Sequence, residues 1–365
     1  MHGAHRGQKE CRYNGTGIVD GYSYCGSSVD MDDSLALDFS LLSPDRPLLM
    51  CFRKKSFPTE PTQQLMFITV EAVGPEWDSV YLQMLRKVHR AYREKLASCC
   101  GAVQNFVVSQ NNTPLGTNMS YEVENKGQIP IRENLFHMFP VTQPFVNYPY
   151  NQCAVVGNGG ILNKSLCGAE IDKADFVFRC NLPPITGNAS KDVGNKTNLV
   201  TVNPSIITLK YKNLKEKKAK FLEDISNYGD AFLLLPAFSY RANTGISFKV
   251  YQTLKESNVR QKVLFFHPMY LRHLAAFWRT KGVTAYRLSS GLMIASVAVE
   301  LCENVKLYGF WPFSKTVQKT PVSHHYYDNK LPKRGFHQMP KEYVQMLQLH
   351  MKGILKVQFS KCEMA

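Results

Sequence analysis

Three of the chain's ten histidines, His324, His325 and His337, fall between positions 324 and 337. They stand among aromatic and turn residues, in Ser323-His-His-Tyr-Tyr-Asp-Asn329 and Gly335-Phe-His-Gln-Met-Pro-Lys-Glu342, and not on the apolar face of a helix. A single buried, hydrogen-bonded histidine is ordinary. A group in polar turns points to acid–base chemistry near neutral pH or to metal ligation. No His-x-x-x-His helix and no nearby Cys-x-x-Cys accompanies them, so the ligand spacing of a zinc site is missing. A general base with a phosphate-binding partner is the better reading of the group.

A second chemical signal is Cys153-Ala-Val-Val-Gly-Asn-Gly-Gly160, running on to Phe178-Arg-Cys-Asn-Leu-Pro-Pro184. A strand emptying into Gly-Asn-Gly-Gly lets a ligand approach the backbone, and a following helix offers N–H groups to an anion. The spacing suggests a nucleotide or phosphate site. It is a poor dinucleotide fingerprint, because the third glycine of G-x-G-x-x-G would fall at Leu162. A plain glycine turn is the competing reading. A third signal, Arg287-Leu-Ser-Ser-Gly-Leu292, opens an apolar helix ending near Cys302. Its serines are either helix caps or ligands for a carboxylate or nucleotide oxygen. Asp30-Met-Asp32 lies far upstream and reads as a solvated acidic turn, since a metal needs three or more converging oxygens.

These segments need a frame to hold them. Short apolar runs at Cys153–Gly157, Phe176–Cys180, Leu199–Val202, Ala231–Leu235, Val263–Phe266 and Val305–Phe310 read as strands. Helical patterns at Val80–Ala97, Tyr270–Lys281, Gly291–Glu303 and Pro340–His350 accompany them. The alternation predicts an α/β, Rossmann-like, mostly parallel sheet flanked by helices, with ligands at the carboxyl ends of the strands. Residues 98–150, broken by Pro114, Pro130, Pro140, Pro144 and Pro149, read as an extended stem or collar. The expected division is an irregular N-terminal or stem segment over 1–97 and one catalytic domain over 98–365.

With 365 residues and 44% hydrophobic content the chain can bury a sizeable core. A formal net charge of +15 favours an anionic partner without choosing among nucleic acid, membrane surface and acidic small substrates. Sequons begin at Asn14, Asn111, Asn118, Asn163, Asn188 and Asn195, and with ten cysteines they favour the secretory pathway. No run of about 18 uncharged apolar residues and no signal-peptide pattern is found. The run Lys210, Lys212, Lys215, Lys217, Lys218, Lys220 reads as a solvated helix face.

Taken in order, the motifs resemble the sialylmotifs of eukaryotic sialyltransferases, glycosyltransferase family 29. Cys153 through Val202 is similar to the long motif, and Arg287 through Phe310 to the short motif. His325-Tyr-Tyr-Asp328 is similar to motif III, and His337 through Glu342 to the very short His-x-x-x-x-Glu motif. The wording Val-Gly-Asn-Gly-Gly-Ile, Arg-Cys-Asn-Leu-Pro-Pro and His-His-Tyr-Tyr-Asp-Asn resembles the α-2,8 branch.

The resemblance implies a GT-A-like variant fold, inverting transfer of sialic acid from CMP-sialic acid, and no metal or other cofactor. It implies His337 as catalytic base and His325 as the donor to the leaving phosphate. Asn158 and Asn181 would hold CMP; Ser289, Ser290 and Gly291 would contact donor sugar or nucleotide, with Trp311 beside them and Glu342 orienting the local structure. It implies disulfides Cys153–Cys302 and Cys167–Cys362, leaving Cys99, Cys100 and Cys180 unassigned. The implied partners are sialylated glycoproteins or glycolipids, not nucleic acid, and the implied location is the Golgi lumen as a single-pass type II membrane protein, although no anchor is found in residues 1–97. Polymer-forming members carry a basic stretch before the long motif; residues 121–152 hold only Lys126 and Arg132 against Glu122, Glu124 and Glu133. Transfer of one or a few residues is therefore expected. The rival readings are a sialic-acid-binding lectin on the same fold, disfavoured because binding needs no base, and a dinucleotide oxidoreductase.

Overall fold

A computed structural model of the chain describes residues 75–365, apart from 125–126, 146–147, 317–318, 331–336 and 363–365, together with the backbone of Ile18–Val19 and Tyr22–Ser23. Asn14 and Asp30-Met-Asp32 lie outside the described residues. The two short segments pair antiparallel. Two compact units divide the chain, Met1–Met84 and Leu85–Ala365, and the second holds the sheet.

That sheet has seven strands: β1 (Tyr150–Val156), β2 (Phe176–Arg179), β3 (Leu199–Thr201), β4 (Phe232–Leu235), β5 (Lys262–Phe265), β6 (Cys302–Tyr308) and β7 (Lys356–Val357). Their order is β7-β6-β1-β2-β3-β4-β5, and every neighbouring pair is parallel. A parallel sheet must be covered on both faces, which is why its strands read as continuous apolar runs. The period of two sends Cys153 and Val155 of β1 into one core, and Ala154 and Val156 into the other.

The first core gathers residues of helices α1 (Pro75–Cys99), α3 (Pro268–Thr280), α4 (Ser290–Leu301) and α5 (Met339–Met351); the second includes residues of α2 (Arg241–Glu256). Helix α4 is buried at every position from Leu292 to Leu301, and only Ser296 and Glu300 interrupt its apolar surface there. Each predicted strand and helix is present, with ends displaced by a few residues. Helix α2 and strand β7 were not legible. Helix α2 carries Asn243, Thr244, Gly245 and Ser247 in its first half, which weakens any helical pattern, and β7 is too short to show a period.

The expectation of an extended stem over 98–150 is corrected. This stretch contains a short helix at Ala102–Asn105, a hairpin pairing Asn118–Ser120 with Gln128–Pro130, and a helical turn at Glu133–Phe136. Phe106, Val107, Val108 and Ile131 are buried, and the Val108 N–H donates to the Phe265 carbonyl at 2.9 Å. Apolar side chains and an open strand edge draw the segment onto β5, covering that edge.

Disulfides join Cys153 to Cys302, Cys167 to Cys362 and the adjacent Cys99 to Cys100; Cys180 is buried with a free thiol. Among the described residues no helix is long and apolar enough to cross a membrane.

Glu300 sits inside the first core, accepting from the Ala102 N–H at 2.7 Å and the Tyr270 hydroxyl at 3.4 Å. Burial pushes its carboxyl up to about 7, against those hydrogen bonds, which favour the ionised form. A carboxyl raised in the fold contributes its full stability below its ordinary value of 4.5 and loses it as pH rises through 7. His89 and His267, lowered by burial to about 4, act in the opposite sense: their contribution is complete above 6.5 and is lost as pH falls toward 4. Comparing Glu300→Gln with the parent isolates the carboxyl. The variant is expected to gain about 3 kcal/mol relative to the parent between pH 4.5 and 8, read from urea midpoints at each pH. A difference that stays flat would refute a buried charge at 300.

Candidate active site

The chain leaves β1 toward β5 on one side and returns through β6 on the other, so the strand order reverses between β1 and β6. Ligands of open parallel sheets bind at the carboxyl ends of the strands beside such a reversal. The glycine turn follows β1 there, and Tyr308-Gly-Phe-Trp-Pro312 ends β6. The Gly157 N–H donates to the Tyr308 carbonyl at 2.7 Å, and the Gly159 N–H to the Gly309 carbonyl at 2.9 Å. A Cβ on Gly159 would lie 2.5 Å from the Gly309 oxygen, and one on Gly160 would overlap the Ser323 carbonyl. These glycines admit other segments of the chain, which corrects the reading that they bring a ligand to the backbone. Nor does a helix follow directly: Gly160–Leu162 is a single 3-10 turn.

A run of hydrogen bonds ties the motifs together. The Asn158 amide donates to the Cys180 carbonyl at 2.8 Å, and its backbone carbonyl accepts from Tyr326 at 3.0 Å. Asn181 occupies a left-handed conformation, φ +62; its N–H donates to the Thr201 hydroxyl at 3.0 Å and its Oδ1 accepts from the Asn203 N–H at 3.1 Å. The Asn203 Oδ1 lies 3.5 Å from the Ser290 hydroxyl. Sequence reasoning missed Asn203, whose only signal is its place between the end of β3 and Pro204. The Ser289 hydroxyl accepts from the Leu292 N–H at 3.2 Å, capping α4, while the Ser289 N–H donates to Glu342 Oε1 at 3.0 Å. A Cβ on Gly291 would lie 2.8 Å from the Phe310 ring. The Trp311 indole N–H donates to the Lys315 carbonyl at 2.9 Å, and its ring packs edge-on against Tyr343 and Phe359.

The histidines are held by different partners. His325 Nδ1 lies 2.6 Å from Asp328 Oδ1, and its ring stacks on Tyr327 at 5.1 Å. Burial would raise Asp328, but the hydrogen bonds from His325 and the Lys330 N–H outweigh it and hold the carboxyl below its ordinary range. The backbone of His325 bridges Gly159, placing motif III on the glycine turn. His337 Nδ1 lies 2.8 Å from the Arg287 carbonyl. A carbonyl only accepts, so Nδ1 carries the hydrogen and Nε2 carries the lone pair of the neutral ring. Burial raises the Glu342 carboxyl; its Oε2 is buried without a hydrogen bond.

Arg287 is itself anchored. Its Nε lies 3.1 and 3.2 Å from the two oxygens of Glu122, and its guanidinium also reaches the Ser239 hydroxyl at 3.0 Å. Both partners of this ion pair are nearly inaccessible, at 8% and 6%. Arg272 holds the backbone carbonyls of Tyr121 and Glu122. No sequence signal marked Glu122, which lies outside every motif. In the basic run, Lys210, Lys218 and Lys220 pair with Asp224, Glu256 and Glu223, as a solvated face does.

The profile of glycosyltransferase family 29 (sialyltransferase) matches residues 106–354. A mouse protein named alpha-2,8-sialyltransferase 8F is 83% identical over 296 residues, covering 78% of this chain and 74% of its own. The human protein of that name is 84% identical over 274 residues, 75% and 69% of the two chains. A solved mammalian sialyltransferase is 24% identical, with a TM-score of 0.42 over 58% of this chain and 70% of its own.

Removing either member of the buried Glu122–Arg287 pair leaves an uncompensated charge. Glu122→Leu and Arg287→Met are each expected to cost about 3 kcal/mol or more. The double variant should cost clearly less than their sum, measured by urea unfolding as a double-mutant cycle. Strictly additive costs would show that the two are not coupled.

Proposed function

This chain belongs to glycosyltransferase family 29, the sialyltransferases, and from that premise we propose that it moves sialic acid from CMP-sialic acid, in α-2,8 linkage, onto glycans already ending in sialic acid. The linkage follows from its likeness to the type VI α-2,8 enzymes of mouse and human. The acceptors are sialylated O-glycans of glycoproteins, with gangliosides second, and one or a few residues are added. The enzyme acts in the Golgi lumen as a single-pass type II protein and works without a metal. In support of a luminal setting, the asparagines of the described sequons, Asn111, Asn118, Asn163, Asn188 and Asn195, are all exposed.

The single observation that carries the catalytic reading is the hold of the Arg287 carbonyl on His337. A sugar hydroxyl is a poor nucleophile near neutral pH and gains from a positioned base. With Nδ1–H directed at the carbonyl, Nε2 accepts the acceptor's proton as its oxygen attacks the anomeric carbon from the face opposite CMP, giving inversion. His325 serves the leaving group. Its Nδ1 faces Asp328, so its Nε2–H donates to the phosphate oxygen on which charge accumulates as the glycosidic bond breaks. Asn158 suits a donor-binding role because its Oδ1 is buried and makes no hydrogen bond in the free protein. Asn181, Ser290 and Gly291 line the same run, and Ser289 acts there through its cap on α4. Trp311 supports the site through packing. A lectin would need none of this proton machinery.

His337→Ala is expected to lower transfer from CMP-sialic acid to an α-2,3-sialylated O-glycan by roughly 10²–10⁴-fold, with CMP still bound in a calorimetric titration. Turnover near that of the parent would reject His337 as the base. His325→Ala should slow transfer and also weaken CMP binding.

A further inference from the structure

The acceptor must present its hydroxyl to His337, and the neighbourhood of that ring shows from which side. Residues 284–287 run alongside the His337–Gln338 segment and are tied to it at both ends. The Thr284 N–H and hydroxyl lie 3.2 and 3.3 Å from Gln338 Oε1, and the Arg287 carbonyl lies 2.8 Å from His337 Nδ1. Between those ties stands Tyr286, 66% exposed. Its ring stacks on that of Tyr240, with centroids 6.5 Å apart and planes inclined by 26°.

The two rings differ in situation. The Tyr240 hydroxyl is buried, close enough to Arg287, Glu122 and Glu124 to feel their charges, although burial is what chiefly raises it. Tyr240 is thus a fixed backing against the anchored Arg287, and Tyr286 is the ring turned to solvent. A tyrosine has two side-chain torsions to immobilise and offers a flat apolar face with a polar tip, so it binds a ligand at low entropic cost. A pyranose presents a face of C–H groups that packs on such a plane.

We propose that Tyr286, backed by Tyr240, is the platform on which the acceptor's terminal sugar stacks, setting the distance of its hydroxyl from His337. This rests on the assignment of His337 as base and deepens it by naming the acceptor side of the site. Tyr286 is a specificity-determining residue for the acceptor and plays no part in proton transfer.

The experiment is steady-state kinetics on the full chain, varying CMP-sialic acid and an α-2,3-sialylated O-glycopeptide independently. Tyr286→Ala is expected to raise the acceptor KM roughly tenfold, equivalent to about 1.4 kcal/mol, while the KM for CMP-sialic acid stays within about twofold. Tyr286→Trp should retain acceptor affinity, and Tyr286→Leu, which keeps apolar bulk without a flat face, should behave like the alanine variant. An unchanged acceptor KM in Tyr286→Ala, or equal rises in both KM values, would overturn the platform. If the parent chain transfers nothing to this acceptor, the proposed function fails instead. CMP titration of each variant confirms that the protein tested is folded.

Discussion

Strands β1 and β6 lie side by side from Tyr150 opposite Cys302 to Val156 opposite Tyr308, and the crevice takes its geometry from that register. Near one end the pair is cross-linked, Cys153 to Cys302, across 149 residues of sequence. At the other end the glycine turn closes onto Gly309 with no room for a side chain. A link spanning so long a loop restricts the unfolded chain by several kcal/mol in the entropic account. It also ensures that the long and short motifs, remote in sequence, reach the same edge of the sheet together. Motif III then joins through the bridge between Gly159 and His325. The very short motif joins through Glu342, whose carboxylate accepts from Ser289 at the head of α4.

Given that scaffold, the two histidines are distinguished by their partners. A neutral carbonyl fixes the tautomer of His337, with the hydrogen on Nδ1 and the lone pair on Nε2. A carboxylate stands instead beside Nδ1 of His325. Each partner is local or backbone in origin: Asp328 lies three residues away, and the carbonyl belongs to Arg287. The carbonyl stays where it is because the Arg287 side chain is locked to Glu122 in a nearly inaccessible ion pair. A buried pair of this kind is weak evidence for stability but strong evidence for a fixed geometry.

Much of this was legible in the sequence, and the reasons differ by residue. The strands announced themselves because a sheet covered on both faces needs apolar runs, and α4 because nearly all of its residues are apolar. The histidines stood out through spacing and company. The glycine turn was located but misread: an absent side chain looks the same in sequence whether the space admits a ligand or the Gly309 carbonyl. Nor can a sequence say whether an indole N–H meets a substrate or, as at Trp311, the carbonyl of Lys315. Residues 98–150 looked extended because prolines break periodicity, yet Phe106 and Ile131 are buried. Glu122 carried no signal, and Asn203 only its place before Pro204, because their roles arise from partners 165 and 87 residues away.

Some of the buried polar atoms that the described residues leave unmatched lie in the same region. Asn158 Oδ1, Arg179 Nη1 and Glu342 Oε2 are each buried without a hydrogen bond, and each belongs to a motif that meets at the crevice. Leaving such an atom buried costs roughly 1–3 kcal/mol; His89 Nε2 and the Ser247 hydroxyl, outside the motifs, bear the same cost, whereas the Glu300 carboxyl is matched on both oxygens. Under the proposed function, a nucleotide sugar would bring amide, hydroxyl and phosphate groups to the motif atoms, so part of its binding energy would come from satisfying acceptors and donors the free protein had already desolvated. Little further dehydration would then be needed at those positions, which favours a site built in advance over one assembled by the ligand.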